Sequence, residues 1–154
     1  SPVLQLTKAF TMAAWVNPTS SQPSEPTLIA KEVTGNLSYV LYAAGSGGVG
    51  PNVYALASGA YQHVDAPSAI PANAWSYVAA TYDGTILAIY INGLLVKSAA
   101  VTGTLAGGSG ALRIGNNAVF GGEGFVGSID EVRIYGRALP AAEIQSIMVT
   151  PVAP

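Results

Sequence analysis

The chain is 154 residues long and half hydrophobic, which is enough for one domain with a buried core. Only 9% of its residues are charged and the net charge is −2, so it lacks the field that draws nucleic acid or an anionic membrane, and no apolar run reaches the roughly 18 residues that membrane insertion needs. Cysteine is absent, which excludes disulfides, thiolate metal sites and cysteine nucleophiles.

A surface so poor in charge suits neutral ligands or contact with other protein, because free domains ordinarily rely on charge for solubility. Ser1-Pro2-Val3-Leu4 carries neither the basic stretch nor the apolar run of a secretion signal. Secretion would therefore require a targeting segment outside this sequence.

Along the chain the dominant pattern has a period of two. Phe10 to Val16 alternates, with Phe10, Met12, Ala14 and Val16 on one side, and Asn17-Pro18 is expected to stop the strand. Residues 19–26 are rich in Ser and Pro and read as a loop. Thr27 to Val33 and Leu37 to Ala44 are the next strands, parted by Thr34-Gly35-Asn36. After the glycine-rich loop from Gly45 to Gly50, Val53 to Ser58 and Tyr61 to Asp65 predict a hairpin.

Trp75 to Tyr82 ends in the turn pair Asp83-Gly84. Thr85 to Ile91 and Leu94 to Ser98 flank Asn92-Gly93. That dipeptide predicts a type I′ turn, because both central positions need positive φ and these residues supply it cheaply. Ala111 to Gly115 is a short strand and Phe125 to Tyr135 the last long one. One short helix is expected over Leu139 to Ile147, with Pro140 in its first turn, where a missing N–H costs nothing. About a dozen short strands and almost no helix predict an all-β sandwich or barrel.

Three stretches carry a resemblance. The first is Trp75-Ser-Tyr-Val-Ala-Ala-Thr-Tyr-Asp-Gly84, continued by Ile89-Tyr-Ile-Asn-Gly-Leu-Leu-Val96. The second is the long run from Phe125 through Ser-Ile-Asp-Glu-Val-Arg-Ile-Tyr to Ile144. The third is Phe10 to Pro18, a strand that ends in Trp-Val. Together they resemble the laminin-G-like branch of the concanavalin-A-like lectin and glucanase superfamily. The resemblance implies a jelly roll of two antiparallel sheets and a setting in secreted or surface proteins. It also marks Trp15 and Trp75 as packing residues. Relatives have one or two further strands before the one at Phe10, where this chain has nine residues, so either those strands lie outside this sequence or a sheet edge is expected to be unpaired, unless Ser1 to Ala9 folds back to cover it. Calcium ligands of the family often come from that region. The remaining candidates for Ca2+ are Asp130 and Asn116, or Asn117, aided by backbone carbonyls.

Glycosidases of this fold use two carboxylates on one strand face. Asp130 and Glu131 are adjacent, so in a regular strand they point to opposite faces, and Glu131 is expected to pair with Arg133. Catalysis is not expected from them. Tyr61, His63 and Asp65 share one strand face and read either as a polar sugar or metal site or as a partly exposed edge with a hydrogen-bonded imidazole. The chain has eight tyrosines. Tyr39, Tyr42, Tyr54 and Tyr61 are candidates to stack on a sugar ring, since a tyrosine joins an apolar face to a polar tip.

The sequence thus reads as one sandwich domain over residues 1–148 with a proline-rich tail at 149–154. Its expected function is non-catalytic recognition outside the cell or at its surface, with a glycan or a surface protein as partner. The alternative is a structural subunit of a filament or layer, joined to a copy of itself or to a strand-donating partner by β-strand complementation.

Overall fold

The structure is a computed structural model that describes residues 4–46 and 49–152. Its strands are β1 (Phe10–Pro18), β2 (Thr27–Val33), β3 (Asn36–Tyr42), β4 (Asn52–Ala57) and β5 (Ala60–Asp65), followed by β6 (Ser76–Tyr82), β7 (Ile86–Ile91), β8 (Leu94–Ala100), β9 (Leu112–Ile114) and β10 (Gly127–Tyr135). The helix α1 (Ala141–Val149) follows. The strands form two antiparallel five-stranded sheets, ordered β10-β1-β6-β7-β8 and β5-β4-β3-β2-β9. The alternating pattern implies a sandwich or barrel, and the structure is the two-sheet jelly roll that the resemblance implies.

Alternation builds the core directly. Phe10, Met12, Ala14 and Val16 of β1, with Val78, Ala80 and Tyr82 of β6, face Tyr39, Leu41, Val53 and Ala55 of the other sheet. Tyr39 stacks on Phe10 with ring centroids 5.0 Å apart. The opposite side of the first sheet is apolar too, because α1 lies on it. Ala13, Ala79 and Ala88 leave room beneath Leu139 and Ile144, with Tyr77 and Tyr90 at the flanks. Pro140 is the N-cap rather than a residue of the first turn, and its carbonyl accepts from the N–H groups of Glu143 and Ile144. The helix runs through Val149, so the tail is shorter than expected, and Ala153 and Pro154 lie outside the described residues.

Two local departures have physical causes. β1 runs on through Pro18, because Asn17 and Pro18 pair with Ser128 and Gly127 at the sheet margin. β10 is not regular. Ala13 pairs with Arg133 but Trp15 with Asp130, so Glu131 and Val132 together oppose Ala14, and Glu131 has φ 52°. This bulge lets the Glu131 carboxylate accept from Arg133 Nη2 (3.1 Å) and from Val152 N–H (2.6 Å), which ties the tail to the strand.

The described residues before β1 add no strand to either sheet. Leu6 packs against the core, the Thr7 carbonyl accepts from Leu105 N–H (2.9 Å), and the Leu4 carbonyl accepts from the Tyr39 hydroxyl (3.0 Å). Ser1, Pro2 and Val3, part of the Ser1 to Ala9 segment that is the alternative cover for an unpaired edge, lie outside the described residues.

Candidate functional site

The second sheet turns its outer face to a groove. Along β3, β4 and β5 the residues alternate with Tyr39, Leu41, Val53 and Val64, which point into the core. Register does the rest: Tyr54 pairs with Val40 on one side and His63 on the other, while Asn52 pairs with Tyr42 and Asp65. Tyr42, Tyr54 and Tyr61 therefore form a chain of edge-to-face rings, with centroids 5.9 and 6.2 Å apart. His63 stacks on Tyr54 at 4.9 Å, and its Nδ1 lies 3.0 Å from Asp65 Oδ2. Asp65 Oδ1 accepts from Asn52 Nδ2 (3.1 Å), which holds the carboxylate in place.

Five of the six expected ligand-binding residues, Tyr42, Tyr54, Tyr61, His63 and Asp65, thus share one face. Tyr39 does not. It is 0% exposed, stacked in the core, and its hydroxyl is spent on Leu4, so the expectation that it meets a ligand is corrected. Period two explains this: Tyr39 is odd where Tyr42 is even on the same strand.

A loop forms the groove's other wall. Asn117 is buried after β9 and organises it. Its Oδ1 accepts from the N–H groups of Val119 (3.1 Å) and Phe120 (2.7 Å), while its Nδ2 donates to Thr27 Oγ1 (2.9 Å) and Glu123 Oε2 (2.6 Å). Glu32 of β2 accepts from Ala118 N–H at 2.8 Å and pins the same loop to the sheet. The result is a groove of about 240 Å³ lined by Glu25, Tyr42, Tyr54, Tyr61, Phe120 and Glu123, among others.

Each carboxylate in it holds a ring. The Tyr42 hydroxyl donates to Glu123 Oε2 (2.9 Å) and the Tyr54 hydroxyl to Glu25 Oε1 (3.2 Å). Burial, with Glu25 adding to it, pushes the Tyr54 phenol up to about 12, and burial followed by the Glu123 charge pushes Tyr42 up as well. Both phenols stay protonated and keep donating at neutral pH. Burial raises the Glu123 carboxyl above its ordinary value, and the Glu25 charge acts in the same direction, against hydrogen bonds from Asn117 and Tyr42 that lower it. Glu25 sits at φ 52° immediately before Pro26. A residue before proline is normally held in extended backbone, so this is strain at the rim of the groove.

The remaining expectations fall elsewhere. Asp130 is on β10 of the other sheet, where it lines a shallow recess with Trp15 and Trp75. Asn116 is in the loop after β9. Each spends an Oδ1 on the next residue's N–H, at 2.8 Å in both cases. Among the described residues no group of three or more His, Cys, Asp or Glu could hold a metal. Calcium seeks six to eight oxygens, usually with more than one carboxylate, and this pair does not fit it. Trp15 packs beside Tyr77 under the helix and donates from Nε1 to the Met148 carbonyl (3.1 Å). Trp75, expected to pack, is 47% exposed just before β6.

The sequence reading missed Glu25, Phe120, Asn117 as an organiser, and Glu123. The usable signals were a glutamate locked before Pro26 and an Asn two and three residues ahead of apolar N–H groups. Neither belongs to a periodic pattern.

Comparison with solved structures gives the same fold. A Bacteroides ovatus protein to which carbohydrate binding has been ascribed superposes with a TM-score of 0.76 at 21% identity, over 94% of this chain and 42% of that one. Domain 4 of an extracellular arabinanase from Geobacillus stearothermophilus, solved with arabinotriose, gives 0.72 at 22% identity, over 94% of this chain and 68% of that one. The CBM40 domain of the Ruminococcus gnavus IT-sialidase, solved with α2,3-sialyllactose, gives 0.72 at 17% identity, over 94% and 84%. The chain therefore spans less than half the length of the first of these proteins. No curated protein matches the chain. The sequence profile of the concanavalin A-like lectin/glucanases superfamily matches residues 1–145, and the chain belongs to that superfamily.

Proposed function

We propose that this domain binds carbohydrate, without cleaving it, in the groove between the outer face of the second sheet and the loop after β9. The observation that carries the reading is the juxtaposition of Tyr42, Tyr54 and Tyr61 with two carboxylates in one groove. Sugar rings present apolar C–H faces to aromatic rings and hydroxyls to acceptors, which matches this lining. The fold relatives include domains solved with arabinotriose and with sialyllactose, which supports the same reading.

Glu25 and Glu123 are a second carboxylate pair, beyond the Asp130–Glu131 pair weighed from sequence. They come from segments that meet at Thr27, whose N–H donates to the Glu123 carbonyl (2.8 Å), and each is occupied in holding a tyrosine. A glycosidase instead sets its two carboxyls on either side of the scissile bond. The groove therefore reads as a binding surface rather than a hydrolytic site. An extracellular or cell-surface setting fits a glycan ligand, and among the described residues no helix is long and apolar enough to cross a membrane.

The test is a titration of the labelled protein with arabinotriose, cellotriose and chitotriose, followed by NMR. The expected result is a saturable shift confined to residues around Tyr42, Tyr54 and Tyr61 for at least one of the three, with no new reducing ends released. Shifts that cluster elsewhere, or none with any sugar at millimolar concentration, would overturn the reading.

A second reading is a subunit joined to other copies by strand pairing. One observation favours it: edge strand β8 exposes Leu94 and Leu95 at 64% and 54% and carries a single charge, Lys97.

A further inference from the structure

Resting on the carbohydrate reading, we propose that the groove selects a sugar bearing a free, protonated amine over its neutral counterpart, and rejects acidic sugars. The argument is a count of donors and acceptors. The Tyr42 and Tyr54 hydroxyls each direct their one proton to a carboxylate, and the Tyr61 hydroxyl directs its proton to Asn36 Oδ1 while accepting from Leu37 N–H. A phenol has only one proton to donate, so these three tips now offer lone pairs alone. The second oxygens, Glu25 Oε2 and Glu123 Oε1, accept no hydrogen bond from the described residues. Among the described residues no Lys or Arg lines the groove.

The lining is thus rich in acceptors, poor in donors, negative and aromatic. Both carboxylates line the same groove, and each is held by one of two neighbouring rings. A sugar hydroxyl satisfies such a lining as a neutral donor. An ammonium group satisfies it better: it brings three donors and a charge, binds carboxylates through charge-assisted hydrogen bonds, and is attracted to ring faces. The carboxylate of a sialic or uronic acid brings only acceptors to acceptors and like charge to like charge.

The experiment is calorimetry near neutral pH with three probes: the fully de-N-acetylated chitosan trisaccharide, N-acetylated chitotriose, and α2,3-sialyllactose. The amine-bearing trisaccharide is expected to bind at least about tenfold more tightly than the acetylated one, with sialyllactose weakest. Glu123→Gln and Glu25→Gln should each narrow that gap severalfold, by weakening binding of the amine-bearing trisaccharide more than that of chitotriose. Asp130→Asn, which removes a carboxylate outside the groove, should leave the gap unchanged and so separates the groove from general attraction to an acidic protein. Equal affinity for the two trisaccharides, a gap that survives both glutamate substitutions, or sialyllactose bound as tightly as the amine would overturn the proposal. Neutral binding without amine preference overturns it but leaves the carbohydrate reading standing; binding of no sugar at all removes both.

Discussion

Glu25 shows how the site is maintained at the scale of one residue. Its left-handed backbone costs an L-residue about 1 kcal/mol or more relative to glycine, and the following Pro26 makes that conformation harder still to adopt. The carboxylate on Tyr54 is what this strain accompanies. Two substitutions separate the terms. Glu25→Ala and Glu25→Gly both remove the carboxylate, but only glycine accepts φ 52° freely. The glycine variant should be the more stable of the two by about 1 kcal/mol in denaturant melts, and both should bind sugar more weakly than the parent. Equal stability of the pair would show that the backbone at residue 25 is unstrained. Tyr39 makes the complementary point. Composition and strand position marked it as equal to Tyr42, and only the parity of its position along β3 separates a core ring from a groove ring.

At the scale of elements, period-two alternation made nearly every strand legible, because each inward side chain had a core to face. The Asn92-Gly93 turn takes the positive φ it was expected to take, 50° and 78°. It also does something the sequence did not reveal. Asn92 Oδ1 accepts from Tyr77 N–H at 2.8 Å, and the Gly93 carbonyl accepts from Gln145 Nε2 of α1 at 3.2 Å, so the hairpin seats the helix. A Cβ on Gly93 would come within 2.8 Å of Gln145 Cγ. Gly93→Ala should therefore cost about 1–2 kcal/mol, seen as a melting midpoint roughly 3–8 °C lower, and Gln145→Ala in the same chain should recover part of it. An unchanged midpoint would mean that the turn carries neither strain nor helix contact. The loops were illegible for the opposite reason. Asn117 and Glu123 are fixed by hydrogen bonds to Thr27 and Tyr42, partners 90 and 81 residues away in sequence, Phe120 is held in turn by Asn117, and no local spacing encodes such distant partners.

At the scale of the whole molecule, two open sheets leave β10, β8, β5 and β9 as edges. The low charge that pointed to neutral contacts also leaves β8 with little to repel a second strand. If strand pairing through β8 operates, light scattering across a concentration series should show a mass that rises, and Leu95→Lys should reverse the rise; a strictly monomeric chain at high concentration would exclude that second reading. The helix over Ala13 and Ala79 accounts for the apolar outer face of the first sheet. Tyr54 is the residue on which these scales meet, since it touches Tyr42, Tyr61 and His63 and is held by Glu25. The most direct test of the account is a glycan array probed with the parent, Tyr54→Ala and Tyr39→Phe proteins. Signal on neutral or amine-bearing glycans should be present for the parent, at least about tenfold weaker for Tyr54→Ala, and retained by Tyr39→Phe. Glycan signal that Tyr54→Ala leaves intact, or no signal from the folded parent, would contradict it.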